Sequence, residues 1–385
     1  MKKSSSILIM ALLILAVATC IVQGATIVVT PSGAGGDYYD LQSAVNAASA
    51  GDVIEIRPGQ YPGEIVVDRP VTVAGTGTGC RVGTEDDTTG VEIRSDNVTV
   101  RNLVIASSSS GIFMEGTSNT QVDGCHIESM ETGIRASFCN GTMIRNSTIS
   151  SDLIGIETTS SSDVVIEKNR ITALSRGISI DGGDGFTIAE NRLTACEIGI
   201  FSEGLRQSTI RANTFSGNVG GEVFLNAQDC VIEYPVIADV NQFVQFIASS
   251  GCVITTESIA GPDYFAADIL SDTTYITGPY ALTGWNYALI GETYGAPEGY
   301  LQFGDALRFT IIEDARSQTE PFIVMGAEAA VGDLEGYDPE TFGFYRIDGS
   351  EPVPVGRPPD VSDGRVTTTV TTSAPGSFAL LVQTQ

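Results

Sequence analysis

Apolar positions recur along the middle of this chain at a step of 22 residues. Gly111, Gly133, Gly155, Gly177, Gly199 and Gly221 keep that step without a slip, and each of the first five is followed by isoleucine. Val100, Val122, Ile144, Ile166, Ile188, Ile210, Ile232 and Ile254 keep it too, as do Ile105, Ile127, Ile149, Ile171, Leu193, Phe215, Ile237 and Ile259. A fixed period of this kind marks a repeat architecture. Within each unit, branched aliphatics alternate with polar residues over three to five positions, as in Gly177-Ile178-Ser179-Ile180. That is strand periodicity. Three short strands and three turns in 22 residues form one coil of a right-handed, single-stranded parallel β-helix. Coils stack at strand spacing, roughly 4.8 Å, so residues 22 apart lie above one another.

The stacking assigns structural roles to several polar residues. Asn169, Asn191 and Asn213 form one column at a turn, where stacked amides bond along the ladder. Arg101, Asp123, Arg145 and Glu167 form an outward column of alternating charge, as in cross-strand pairs. Open ends of such a stack need covering. Before the repeats, Asp40-Leu41-Gln42-Ser43-Ala44-Val45-Asn46-Ala47-Ala48 reads as a short capping helix with one apolar face and Gly51 as its stop. Irregular first coils come next, with strands at 53–56, 65–67, 71–73 and 91–93 and residues 80–89 as an insertion.

The period ends near residue 260. From Tyr264 onward there are 16 aromatics in 122 residues, against 12 in the preceding 239. Segments 306–312, 343–347, 365–372 and 377–382 alternate like antiparallel strands between Gly/Pro/Asp turns. The aromatics, Trp285 included, read as core. The expected organisation is a signal peptide (1–24), a parallel β-helix (25–260) and a C-terminal antiparallel β-sandwich-like domain (261–385), all-β throughout.

The amino terminus reads as a secretory signal: Lys2-Lys3, an apolar run from Ile7 to Val22, then small residues, with cleavage after Gly24. Export gives meaning to three sequons, at Asn97, Asn140 and Asn146, as candidate glycosylation sites. It also makes the six remaining cysteines relevant. Cys230 and Cys252 share a core column whose spacing admits a disulfide. Net charge is −27, and loss of the two leader lysines makes it −29. Such acidity argues against nucleic acid and anionic membranes as partners, and no membrane segment beyond the signal is expected. Residues 260–385 hold 18 acids and 5 arginines, which no ladder accounts for.

Gly35-Gly36-Asp37-Tyr38, Leu41-Gln42-Ser43-Ala44-Val45, Gly51-Asp52-Val53-Ile54 and Pro58-Gly59-Gln60-Tyr61 together resemble the opening of the pectin lyase-like β-helix superfamily. Repeats of the form Ile166-x-x-Asn169-x-Ile171, then Gly177-Ile178-x-Ile180, resemble NosD-like coils. The tail, with Tyr345-Arg346-Ile347-Asp348-Gly349 and Gly376-Ser377-Phe378-Ala379-Leu380, resembles terminal β-domains of archaeal-type surface proteins. The resemblance implies the fold and leaves activity open, because the superfamily hosts lyases, hydrolases, esterases, epimerases, adhesins and binding scaffolds. NosD-like proteins are linked with copper insertion, which wants His, Cys or Met clusters. This chain offers one histidine, His126, read as lying on a coil turn, and no Met-rich stretch. Neither a metal nor a cofactor is expected. The paired aspartates and Gly-His-Gly segment of polygalacturonase-type enzymes are missing.

The remaining candidates lie outward after the glycine column. Asp181 and Glu203 stack one coil apart, Arg135 and Glu157 occupy the neighbouring column, and Asp184 is close by in Asp181-Gly182-Gly183-Asp184-Gly185. Phe201, like Phe113, also points outward. Carboxylates with aromatics suit carbohydrate contact, and paired carboxylates at about 5 Å or wider suit glycosidases. Catalytic residues are not identified. The reading is an exported cell-surface or secreted scaffold that binds a polysaccharide or envelope glycan without catalysis. The alternative is a polysaccharide lyase or glycoside hydrolase, with NosD-like copper delivery a distant third.

Overall fold

A computed structural model describes residues 24–31, 35–233, 236–237, 243–256, 265–269, 272–277, 280–285, 287–292, 294–311 and 322–385. The leader up to residue 23, Ile259, Ile312 and the side chain of Trp285 lie outside what it describes.

Three parallel sheets run along the stack, and each coil contributes one strand to each. In a middle coil, Val165–Glu167 belongs to the first face, Arg170–Ala173 to the second and Arg176–Asp184 to the third. Strand partners are 22 residues apart: Ile144 pairs with Ile166, Ile149 with Ile171 and Ile156 with Ile178. Among the described residues the second face has nine strands, from Gly59–Tyr61 to Val236–Ile237. The aliphatic columns point inward and are buried from Val100 to Ile254. Farther along the stack Phe224 and Phe246 continue the filling, ring on ring at 5.2 Å.

The glycine column has a steric cause. A Cβ on Gly155 would lie 2.3 Å from Ile171 Cγ2 and 2.5 Å from the Gly177 carbonyl oxygen. The third face turns in so close to the second that only a residue without a side chain fits. At another corner the bend is made by residues in the left-handed region: Asn102, Asn146, Lys168, Glu190 and Ala212 have φ between 51° and 56°. That conformation costs energy for any residue with a Cβ. The next position offsets it. The Asn169 amide N–H donates to Asn191 Oδ1, and that of Asn191 to Asn213 Oδ1, each at 3.0 Å. The three Nδ2 groups donate to the carbonyls of Ile144, Ile166 and Ile188 at 2.8–2.9 Å. All three amides are buried. Ser147 carries the ladder one coil further, its Oγ accepting from the Cys125 amide at 3.2 Å.

The helix at the amino-terminal end is Leu41–Ala47, capped by Asp40, whose carboxylate accepts from the Ser43 amide at 2.7 Å. Leu41, Ala44 and Val45 are buried. Its Gln42 side chain stands in for a missing strand. Val66, on the edge strand Ile65–Val67, donates its N–H to Gln42 Oε1 at 2.8 Å and accepts from Gln42 Nε2 at 3.0 Å. An exposed edge is thereby closed with side-chain bonds. One strand here was not foreseen, and one expectation needs correction. Thr26–Val29 adds a first strand, Ile27 opposite Ile54, that the repeat pattern does not reveal. Residues 80–89 are not an insertion. Cys80–Val82 is the regular second-face strand of its coil, and 83–88 is its turn, held by Asp87 Oδ2 accepting from the Thr84 amide at 2.7 Å.

Beyond the coils two faces continue. Phe265–Ile269 and Asp272–Thr277 still pair in parallel with Phe243–Ile247 and Ser250–Thr256. The next strands, Tyr287–Glu292 and Tyr280–Trp285, pair antiparallel onto them. From there both sheets are antiparallel, through Tyr300–Ile311 and Gly376–Gln383 on one and Phe322–Ala330 and Arg365–Thr372 on the other. Phe309, Phe342, Phe344 and Phe378 lie buried in this region.

Candidate functional site

The outward side of the third face carries the strip that the sequence singles out. Register sets its columns: Phe113, Arg135, Glu157, Ser179 and Phe201 succeed one another, coil by coil. Two positions along the same strands, Asp181 and Glu203 are direct partners. Their backbones are therefore about one strand spacing apart, roughly 4.8 Å, and both side chains are exposed.

Arg135 Nε donates to Glu157 Oε2 at 2.6 Å, and its second nitrogen donates to Thr132 Oγ1 at 3.3 Å. Arg176 reaches across the column. Its guanidinium lies 3.7 Å from the centre of the Phe201 ring and donates to Ser179 Oγ at 3.2 Å. That stacking holds a half-buried aromatic face and a cation in one plane of contact. Arg176 and Thr132 are absent from the residues singled out by sequence. The available signal was their place one residue before the glycine column, which the outward columns counted after glycine leave out. Asp184 does not join the strip. It comes after Gly182, in the left-handed region at φ 69°, and sits 3.8 Å from Arg206 instead.

The other singled-out residues are structurally separate from this strip. Asn97, Asn140 and Asn146 are exposed, Asn97 on a turn, Asn146 at a bend and Asn140 in isolated bridges to Ser118 and Ser162. The Asn140 amide donates to Ser162 Oγ and that of Asn146 to Asp123 Oδ1. Cys230 and Cys252, whose spacing admits a disulfide, are buried in neighbouring coils with both thiols free in this structure. Stacked in-register cysteines project side by side, and these thiols turn to backbone carbonyls, Cys230 to Gln228 at 3.4 Å and Cys252 to Ser250 at 3.6 Å. Contact with the Cys230 sulfur, together with burial, holds the Cys252 thiol well above the usual range. His126 is also corrected. It begins the strand His126–Ser129 rather than lying on a turn, and its exposed imidazole Nε2 sits 3.1 Å from Glu128 Oε1.

One functional-looking group went unnoticed in the sequence. Glu222 takes the place that the 22-residue step reserves for isoleucine, between Ile200 and Val244. It is fully buried, its Oε2 has no partner, and burial pushes its carboxyl up to about 8. The break in the column of isoleucines was the signal.

The sequence model of the NosD family, described as periplasmic copper-binding protein, matches residues 72–221. The donor set does not fit copper. Burial pushes the Cys125 thiol up to about 12 and the Cys196 thiol to about 11. The single imidazole is engaged by Glu128, and no three His, Cys, Asp or Glu side chains cluster among the described residues. No curated protein matches the chain in sequence. Solved structures similar to it include an alginate lyase from a Paenibacillus species (15% identity, 56% of this chain and 90% of that one, TM-score 0.40). A thermostable α-1,3-glucanase from Streptomyces thermodiastaticus is also similar (15% identity, 64% and 60%, TM-score 0.44). So is a DFA-IIIase from Arthrobacter chlorophenolicus (11% identity, 66% and 85%, TM-score 0.45). From the 22-residue register and the buried asparagine ladder, the chain is a right-handed parallel β-helix, and its coils over residues 72–221 match the NosD family model.

Proposed function

We propose that this is an exported β-helix scaffold that binds an extracellular polysaccharide or envelope glycan along its third face. The observation that carries the reading is the strip itself. Two aromatic rings and the bonded Arg135–Glu157 pair share one column over successive coils, and the Arg176 guanidinium is fixed on one of the rings. Aromatic faces and oriented hydrogen-bonding groups are what a hydroxylated ring recognises. A straight sheet presents them in a row, which suits an extended polymer. The NosD match supports export, since that family is described as periplasmic. The leader-like segment at residues 1–24 and the sequons at Asn97, Asn140 and Asn146 are read in the same light.

The test is affinity electrophoresis of the mature chain in gels containing alginate, pectate or a neutral β-glucan. Retardation by at least one polymer is expected, with Phe201→Ala and Arg135→Ala each weakening it about tenfold, the effect of one lost aromatic or charge-assisted contact. Mobility unchanged in every polymer, or unchanged by both substitutions, rejects the strip as the binding surface.

A catalytic reading rests on Asp181 and Glu203 alone. Adjacent exposed carboxylates could divide acid and base roles in glycoside cleavage. It predicts new reducing or unsaturated ends from one of these polymers, lost in Asp181→Ala and Glu203→Ala. Product formation unaffected by both changes removes these residues from consideration.

A further inference from the structure

At the corner between the first and second faces lies a concavity of about 460 Å³. It is on a different flank of the solenoid from the strip, and its chemistry is independent of the polysaccharide reading. Its walls are the 75–79 loop (Gly75-Thr76-Gly77-Thr78-Gly79), Asn102 and the imidazole of His126. Three features set it apart. No carboxylate lines it, in a chain with 47 acidic residues against 20 basic ones. The amide N–H groups of Gly77, Thr78 and Gly79 bond to nothing among the described residues, and the loop is exposed. Gly79, at φ 87°, turns back just after Thr78, the kind of bend at which successive amides converge on an anion.

The third feature is the imidazole. Its Nε2 is held 3.1 Å from Glu128 Oε1, and Arg81 sits 3.1 Å from the other oxygen of that carboxylate. The carboxylate fixes the ring by accepting from Nε2–H, which leaves Nδ1 without a partner among the described residues. Arg81 neutralises Glu128, so protonation of the ring leaves one uncompensated positive charge at the cavity wall. The register neighbours of His126, Val104 and Thr148, are uncharged, as are the other wall residues. Partial burial raises the Glu128 carboxyl, but its bonds from His126 and Arg81 outweigh that and hold it below the usual range. It therefore stays an acceptor for the ring.

We propose that this corner binds a carboxylate group, of a sugar acid or of a free organic acid, through the amides of the 75–79 loop and the imidazolium of His126. With the ring neutral, the free Nδ1 is a lone pair and repels the anion. With the ring protonated, Nδ1–H donates to it. Binding and protonation are thus linked, and the anion raises the affinity of His126 for its proton.

The chain has one histidine, so its imidazole gives one set of ring proton resonances. These are monitored by NMR while the mature protein is titrated with sodium glucuronate, sodium acetate or glucose, below and above the ring's own titration midpoint. Both anions are expected to move the resonances and raise the midpoint. Glucuronate affinity should fall about tenfold or more across the midpoint, the contribution of one charge-assisted bond. Glucose should move nothing. Acetate equal to glucuronate identifies a bare carboxylate as what is read, and tighter glucuronate identifies a sugar acid. His126→Gln, at an exposed site, should abolish the pH dependence of glucuronate binding measured by calorimetry. Resonances that neither anion moves, an equal response to glucose, or binding independent of pH would overturn the proposal.

Discussion

The coils and the carboxy-terminal sheets are built from the same faces by different rules. In the regular coils each strand residue stacks on its counterpart 22 positions away, so any side chain is repeated vertically and any error propagates. In the terminal region neighbouring strands run antiparallel, with partners set by each hairpin or crossover, as in Val324 opposite Thr371 and Phe344 opposite Leu380. A parallel stack must fill the same interior space at every level, which explains its columns of one residue type. An antiparallel sheet can answer each position separately, which explains the mixed aromatics. The difference teaches that inside the coils a polar residue is either bonded by the levels above and below it or sealed in without a partner, as the buried hydroxyls of Thr142, Thr158 and Ser202 are. Asn191 is bonded by the levels on both sides, whereas the buried Glu222 Oε2 has no partner.

The largest expected effect comes from breaking the ladder. Asn191→Ala removes bonds to Asn169, Ile166 and Asn213 in a buried column. It should cost about 3 kcal/mol or more, since buried groups left unpaired cost roughly 1–3 kcal/mol each. Urea unfolding measures it, and a loss below about 1 kcal/mol would mean that the turn does not depend on the amide. Next is Gly155→Ala, whose Cβ would meet Ile171 at 2.3 Å. Overpacking of that kind costs about 1–3 kcal/mol. Its counterpart in the terminal sheets, Gly343→Ala, places a Cβ no nearer than 3.8 Å to Thr368 Oγ1 and should be nearly neutral. Equal melting shifts for the two would break the comparison.

Glu222 gives a pH signature. Its folded carboxyl is raised to about 8 while the unfolded one titrates near 4.3. Between these values the folded state holds a proton that the unfolded state has released. Its contribution to stability is therefore greatest at acid pH and declines as pH rises toward 8. Glu222→Val restores the aliphatic column and should flatten that decline, stabilising the protein by about 1–3 kcal/mol at pH 8. Parallel decline in both proteins would place the alkaline sensitivity elsewhere. Smallest is the outward ladder. Arg145→Ala breaks a 3.2 Å pair with Asp123 and should cost roughly 0.5 kcal/mol, disappearing in high salt.

Much of this was legible because a parallel stack writes its geometry into spacing. The step of 22, the inward aliphatics and the Asn169–Asn191–Asn213 column each come from one physical fact, that equivalent residues lie one strand spacing apart. The short strands of the irregular first coils were harder, because Cys80–Val82 has no column of its own kind to announce it. The strip was half legible. Register puts Arg135 beside Glu157 and Asp181 beside Glu203, so those pairs could be read directly. Arg176 over Phe201 could not, since a long side chain crosses between columns and its direction depends on packing.

By itself, then, the sequence determined which residues face inward and which stack, because period and polarity alone decide both in a repeating coil. Only the tertiary structure decided what crosses the columns: Gln42 closing the edge at Val66, the Arg176–Phe201 contact, and the meeting of the 75–79 loop with His126. Those contacts join residues separated by no fixed step. They depend on where turns and long side chains end in space, which spacing along the chain does not encode.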